Sequence, residues 1–205
     1  MQHLSNNLEF EYFLSSADDK LRTDYYTGLN KVLKKYGVDG VVLNTANSLS
    51  SANTIIVLAK NSFGESVGGI RIEIKTDDNL LPIEKISTRY KKIINEKIKQ
   101  IHMHHESIAE LCGLWVDSEI KSSIFNRKLG PTLCKIANEI VDDMLFENLV
   151  TLAASHTSKF VSVLNFKPDQ NIPQFTYPDD RYISTLMWKS NKTRTQNINN
   201  RELVL

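Results

Sequence analysis

Little in this sequence directs it to a membrane, an oxidising compartment or a polyanion. The 205 residues hold two cysteines, Cys112 and Cys134, both inside apolar segments, so there is no disulfide framework and a reducing compartment suits the chain. Met1 to Leu21 lacks a basic start followed by an apolar run. No segment approaches the roughly 20 consecutive apolar residues of a membrane-spanning helix. A formal net charge of +1 gives no global pull toward nucleic acid or a membrane surface. No internal repeat and no linker breaks the chain. With 41% hydrophobic residues it is long enough for one sizeable core and short for two. The expectation is a cytoplasmic protein with a single domain over residues 1–189 and a polar tail over 190–205.

What is present is a regular alternation of strand and helix patterns. Leu8 to Leu14 alternates with a period of two and reads as a half-buried strand. Ser15 to Asp19 offers capping residues and first-turn acids to a helix marked by Leu21, Tyr25, Leu29, Val32, Leu33 and Tyr36 and stopped by Gly37. Val38 to Leu43 is short and apolar, and Asn44 to Asn53 is a polar loop. Thr54 to Lys60 and Val67 to Lys75 read as a hairpin with a Gly-containing connection. Arg71 stands on the face of its second strand that reads as solvent-facing. Ile83, Ile86, Tyr90, Ile93, Ile94, Ile98 and Ile101 mark one helical stripe of about five turns. Its other faces carry Lys85, Arg89, Lys91, Lys92, Lys97 and Lys99 against Glu84 and Glu96. That face is either solvated or a dock for an acidic partner; the aromatic interleaving that would favour nucleic acid is missing. His102-Met103-His104-His105-Glu106 follows without the spacing of a zincin, and no metal site is expected.

Ile108 to Thr132 organises the rest. Ile108 to Val116 reads as a long buried strand and Asp117 to Asn126 as a polar loop, after which Leu129, Leu133, Ala137, Ile140, Val141, Met144 and Leu145 recur at helical spacing. At the junction stands Arg127-Lys128-Leu129-Gly130-Pro131-Thr132, with a Gly where backbone can approach a ligand and a Pro suited to a first helical turn. A helix start of this kind favours an anion through its orphan N–H groups and dipole. Leu149 to Ala153 is a short strand, Ser155 caps a helix through Asn165, Lys167-Pro168-Asp169 breaks it, residues 170–181 are turn-rich, and Tyr182 to Trp188 is a last strand.

The junction residues resemble the R/Q-x-x-G-x-G/A pyrophosphate loop of the GNAT superfamily of N-acyltransferases. The order strand, helix, hairpin, helix, long strand, helix, strand, helix, strand over about residues 8 to 188 is similar to that of the same superfamily. Val67 to Ile72 and Ala109 to Val116 resemble two strands of the acyl-homoserine-lactone synthases and long-chain N-acyl amino acid synthases, and Leu81-Pro82-Ile83-Glu84 is similar to a segment of that group. Several departures stand out. The first helix lacks the Arg- and Trp-bearing signature of that group. Pro131 has no N–H to donate, Thr132 is bulkier than Gly or Ala, Cys112 replaces a Ser, and Gly113 replaces an Arg.

The resemblance implies an α/β (α+β) fold, GNAT-like, with a mixed, mostly antiparallel central sheet flanked by helices. It implies transfer of an acyl group from acyl-CoA, or from the acyl-phosphopantetheine of a carrier protein, to the amine of a small molecule or amino acid. Without a convincing nucleophile, the amine attacks directly in a ternary complex. Such chemistry needs a base, oxyanion donors and an acid or solvent route for the thiolate. The resemblance assigns Glu110 as base and places the thioester and pantetheine on Leu114, Trp115 and Val116. Phosphates go to Arg127, Lys128, Leu129, Gly130 and Thr132, and Arg71 takes part in substrate binding. No Tyr occurs in Ser155 to Phe166, so His156, Ser155 or water serves as acid. The alternative is a catalytically silent module of the same fold that binds acyl-CoA.

Overall fold

A computed structural model of the chain describes residues 8–38, 52–119 and 123–191, with 123–127 as backbone alone. The apolar stretch beginning at Val38 and the polar tail fall largely outside the described residues. The elements are β1 (Glu9–Leu14), α1 (Asp19–Lys35), β2 (Thr54–Lys60), β3 (Ser66–Ile74), α2 (Pro82–Lys85), α3 (Lys91–Met103), β4 (Ile108–Val116), α4 (Ser123–Asp143), β5 (Asn148–Ala154), α5 (Ser155–Ser162), β6 (Lys167–Pro168), β7 (Phe175–Thr176) and β8 (Ile183–Ser190). They build one mixed sheet in the order β1-β2-β3-β4-β5-β8-β6, with β7 on β8. The pairs β1–β2, β5–β8, β6–β8 and β7–β8 are antiparallel and β4–β5 is parallel. This is the mixed, mostly antiparallel sheet with flanking helices that the sequence leads one to expect. Contacts gather the chain into two compact units, residues 1–72 with 112–137 and residues 73–111 with 138–205.

In the first unit, α1 starts where Asp18 accepts the Leu21 N–H at 2.9 Å and stops at Gly37, whose φ of 67° permits the Val38 N–H to reach the Leu33 carbonyl at 2.9 Å. Its apolar face sets Tyr25, Tyr26 and Leu29 against Ile56 and Leu58 of β2 and Trp115 of β4. The ring of Trp115 lies over Gly28, where an added Cβ would stand 2.1 Å from it.

The second unit centres on Leu81, Ile83, Ile94 and Ile98 packed with Ile108, Val150 and Leu186. Here the isoleucine stripe corrects the expectation of one long helix. Ile86 is extended at φ −63°, ψ 148°, which separates the single turn of α2 from α3. Ile93 is 44% exposed, so it does not belong to the buried stripe.

A second correction concerns α4, which begins at Ser123, several residues before the expected start. Pro131 lies inside it and forgoes the bond to the Arg127 carbonyl. The short β6 and β7 fall where only breakers and turns were legible. Among the described residues no helix is long and apolar enough to cross a membrane.

Candidate active site

β4 carries the candidate site in two stretches. Its first half is regular. Ile108, Ala109 and Glu110 pair with Asn148, Leu149 and Val150 of β5, and the ladder ends there. At the next position the Thr151 hydroxyl donates to the Leu111 carbonyl at 2.7 Å. Glu110 is 2% exposed, and its carboxylate accepts the Ile83 N–H at 2.9 Å. That N–H is one of the donors a helix start leaves open.

Beside it, Glu84 accepts the Leu81 N–H at 2.7 Å and pairs with the Lys75 ammonium at 3.0 Å. The same ammonium donates to the Asn79 carbonyl at 2.6 Å. Leu81-Pro82-Ile83-Glu84 therefore folds as a one-turn helix whose N3 carboxylate reaches back to its own cap residue, and its next N–H is offered to Glu110. The Leu-Pro-x-Glu spacing was the available signal for this arrangement. The partner on β4 was not legible.

The second half of β4 is bulged. The Lys75 N–H donates to the Ile108 carbonyl and the Asp117 N–H to the Val67 carbonyl, so the ten residues from Ile108 to Asp117 run against the nine from Val67 to Lys75. Counted inward from the two ends, Cys112 and Gly113 both fall opposite Arg71. Gly113 has φ +61°, the left-handed conformation that places a β-bulge there. A Cβ on Gly113 would stand 2.3 Å from the Tyr25 hydroxyl. That hydroxyl donates to the Gly113 carbonyl at 2.7 Å.

Arg71 is 4% exposed, which corrects its expected solvent-facing placement. Its Nε–H donates to the Cys112 sulfur and another guanidinium N–H to the Tyr26 hydroxyl, each at 3.2 Å. Of the two thiols, Cys134 is buried in α4, and burial pushes it up to about 12; it is a packing residue.

The remaining expected site residues scatter. Leu114 and Val116 are half-buried beside the buried Trp115. Lys128 is exposed, Leu129 and Gly130 are buried, and the Thr132 hydroxyl donates back to the Lys128 carbonyl at 2.8 Å. Because α4 already runs from Ser123, Gly130 and Thr132 do not open it. The Arg127 side chain lies outside the described residues. His156 is exposed in the first turn of α5. Ser155 is the first residue of α5, after Ala154 in the cap position. Among the described residues no group of His, Cys, Asp or Glu is arranged to hold a metal ion. His102 meets Asp77 at 2.6 Å, and α3 ends at Met103, before His105. The residues that hold β4 but escaped the sequence reading are Tyr25, Tyr26 and Thr151. Periodicity announced Tyr25 as core, and nothing announced the partner of its hydroxyl.

No family model matches the sequence, and no curated protein does. The structure is similar to that of FeeM, an N-acyl amino acid synthase from uncultured soil microbes, with TM-score 0.71 and 11% identity over 92% of this chain and 93% of that one. An acyl-CoA N-acyltransferase from Pseudomonas aeruginosa superposes with TM-score 0.61 and 10% identity over 90% of this chain and 100% of its own. The AHL synthase LasI does so with TM-score 0.57 and 13% identity over 90% and 91%. At these identities the likeness is one of fold, and the chain has the fold of the GNAT-type N-acyltransferases, the N-acyl amino acid and AHL synthases among them.

Proposed function

We propose that this protein moves an acyl group from an acyl thioester, of CoA or of a carrier protein, to the amine of a small molecule or amino acid. The observation that carries the reading is β4 itself, in which a buried carboxylate, Glu110, is followed three residues later by the left-handed Gly113 in a strand of this fold. Glu110 takes the proton of the incoming ammonium, and the freed nitrogen attacks the thioester carbon. Backbone N–H groups of Leu114 to Val116 stabilise the oxyanion, the nitrogen gives up its second proton to solvent, the C–S bond breaks, and the thiolate takes a proton from solvent or from His156. Arg71, buried beside Cys112 and Tyr26, takes part in substrate binding.

The phosphates of the donor go to Arg127 to Thr132. For those N–H groups to serve, the turns of α4 before Pro131 have to open, which makes Pro131 a first-turn residue. Lys85, Arg89, Lys92 and Lys99 are exposed and suit an acidic carrier domain as the alternative donor.

The test is thiol release from acyl-CoAs of graded chain length, and from acyl-loaded carrier protein, against a panel of amines and amino acids. Equilibrium binding of CoA is measured alongside. Turnover that depends on an amine supports the reading. Binding of CoA without turnover on any amine would make the protein the silent module instead.

A further inference from the structure

We infer that Tyr25 of α1 is a positioning residue that sets the oxyanion donor on β4; the inference rests on the acyl-transfer reading above. A trans peptide is planar, and its C=O and N–H point in opposite directions. The plane that joins Gly113 to Leu114 is held at its carbonyl by the Tyr25 hydroxyl at 2.7 Å. The Leu114 N–H is thereby turned away from α1. Nothing in a regular strand would fix this plane so, because Gly113 at φ +61° has left the extended conformation in which neighbouring strands hold successive peptides.

The anchor is enclosed. Tyr25 is fully buried, its ring edge-on to Tyr26 at 4.9 Å between centroids and 6.3 Å from Trp115. It also dictates the residue at position 113. Any side chain there meets both the strain of a left-handed φ and the Tyr25 oxygen 2.3 Å from its Cβ. The glycine that departs from the synthase pattern at this point is the one residue that leaves room for the anchor. On this account two residues 88 positions apart in the sequence make one device: the glycine allows the peptide to turn and the tyrosine decides how far.

Tyr25→Phe keeps the ring and removes the anchor. The probes are CoA, which has no acyl carbonyl, and an acyl-CoA analogue with methylene in place of the thioester sulfur, which presents the carbonyl and cannot be cleaved. In Tyr25→Phe the analogue is expected to bind about tenfold or more weakly than to the wild type, with kcat falling in parallel, while CoA affinity stays within about twofold. Equal losses for both probes, or an unchanged ratio, overturn the inference and leave acyl transfer standing. A wild-type protein that binds neither probe overturns the acyl-transfer reading and this inference with it. If Tyr25→Phe does not fold, the same ratio is read on Gly113→Ala, where selective loss of the analogue is expected and an unchanged ratio is the contrary result.

Discussion

The two halves of β4 solve different problems with the same backbone. From Ile108 to Leu111 four consecutive residues are buried, the first three pair in register with β5, and the group proposed to act is a side chain, the Glu110 carboxylate. From Cys112 to Val116 burial is partial except at Trp115, the register shifts by one residue, and the group proposed to act is the backbone itself, whose Gly113 carbonyl accepts the Tyr25 hydroxyl. A carboxylate is written into the sequence and survives small shifts of the strand. A backbone donor exists only as conformation, so it needs residues elsewhere to hold it.

This difference can be broken from either side. The largest effect on rate is expected from Glu110→Gln, which should lower kcat by about 10²- to 10⁴-fold and abolish the acidic limb of the pH–rate profile while the protein stays folded. Loss of folding in that variant would reduce Glu110 to a structural carboxylate. The largest effect on stability is expected at its neighbour. Lys75→Met leaves the Glu84 carboxylate, 6% exposed, without its ammonium and should cost about 3–5 kcal/mol in a denaturant titration. A loss near zero would mean that the Lys75 ammonium adds nothing net to the turn Pro82–Lys85.

In the second half, Gly28→Ala should destabilise by about 1–3 kcal/mol, although alanine is the better helix former, because its Cβ drives into the Trp115 ring. Stabilisation instead would show that Trp115 moves freely.

The smallest effect serves as a benchmark for a carboxylate with a structural duty. Burial pushes the Asp169 carboxyl up, but hydrogen bonds from Lys97 and the Asn171 N–H hold it below the ordinary value on balance. A carboxyl lowered in the folded state contributes stability above its unfolded pKa and loses it as pH falls through the folded value. Asp169→Asn should therefore flatten the acid side of the stability profile and leave the pH–rate profile where it was. A shifted rate profile would erase the distinction from Glu110.

Much of the fold was legible because its signals are local. The two-residue alternation of Leu8 to Leu14, the cap at Asp18 and the stop at Gly37 each depend on neighbours in sequence. The misreadings share another cause. The stripe from Ile83 to Ile101 has helical spacing throughout, yet the extended Ile86 breaks it, since apolar residues at i, i+3 and i+4 bury equally well from a turn followed by a helix. Pro131 reads as a first-turn residue by propensity, and in the structure it sits inside α4. Of the candidate site, Glu110 stood in the sequence with its chemistry visible, and Gly113 showed only as a departure from the synthase pattern. The part of Tyr25 was not legible, because a hydrogen bond across 88 residues leaves no periodic trace.

The most direct measurement of the central claim is the ¹³C resonance of the carbonyl in the methylene-for-sulfur acyl-CoA analogue, labelled at that carbon and bound to the wild-type protein. Polarisation by backbone donors on β4 predicts a downfield displacement from the free analogue that shrinks in Tyr25→Phe. A bound carbonyl with the free chemical shift would contradict the account.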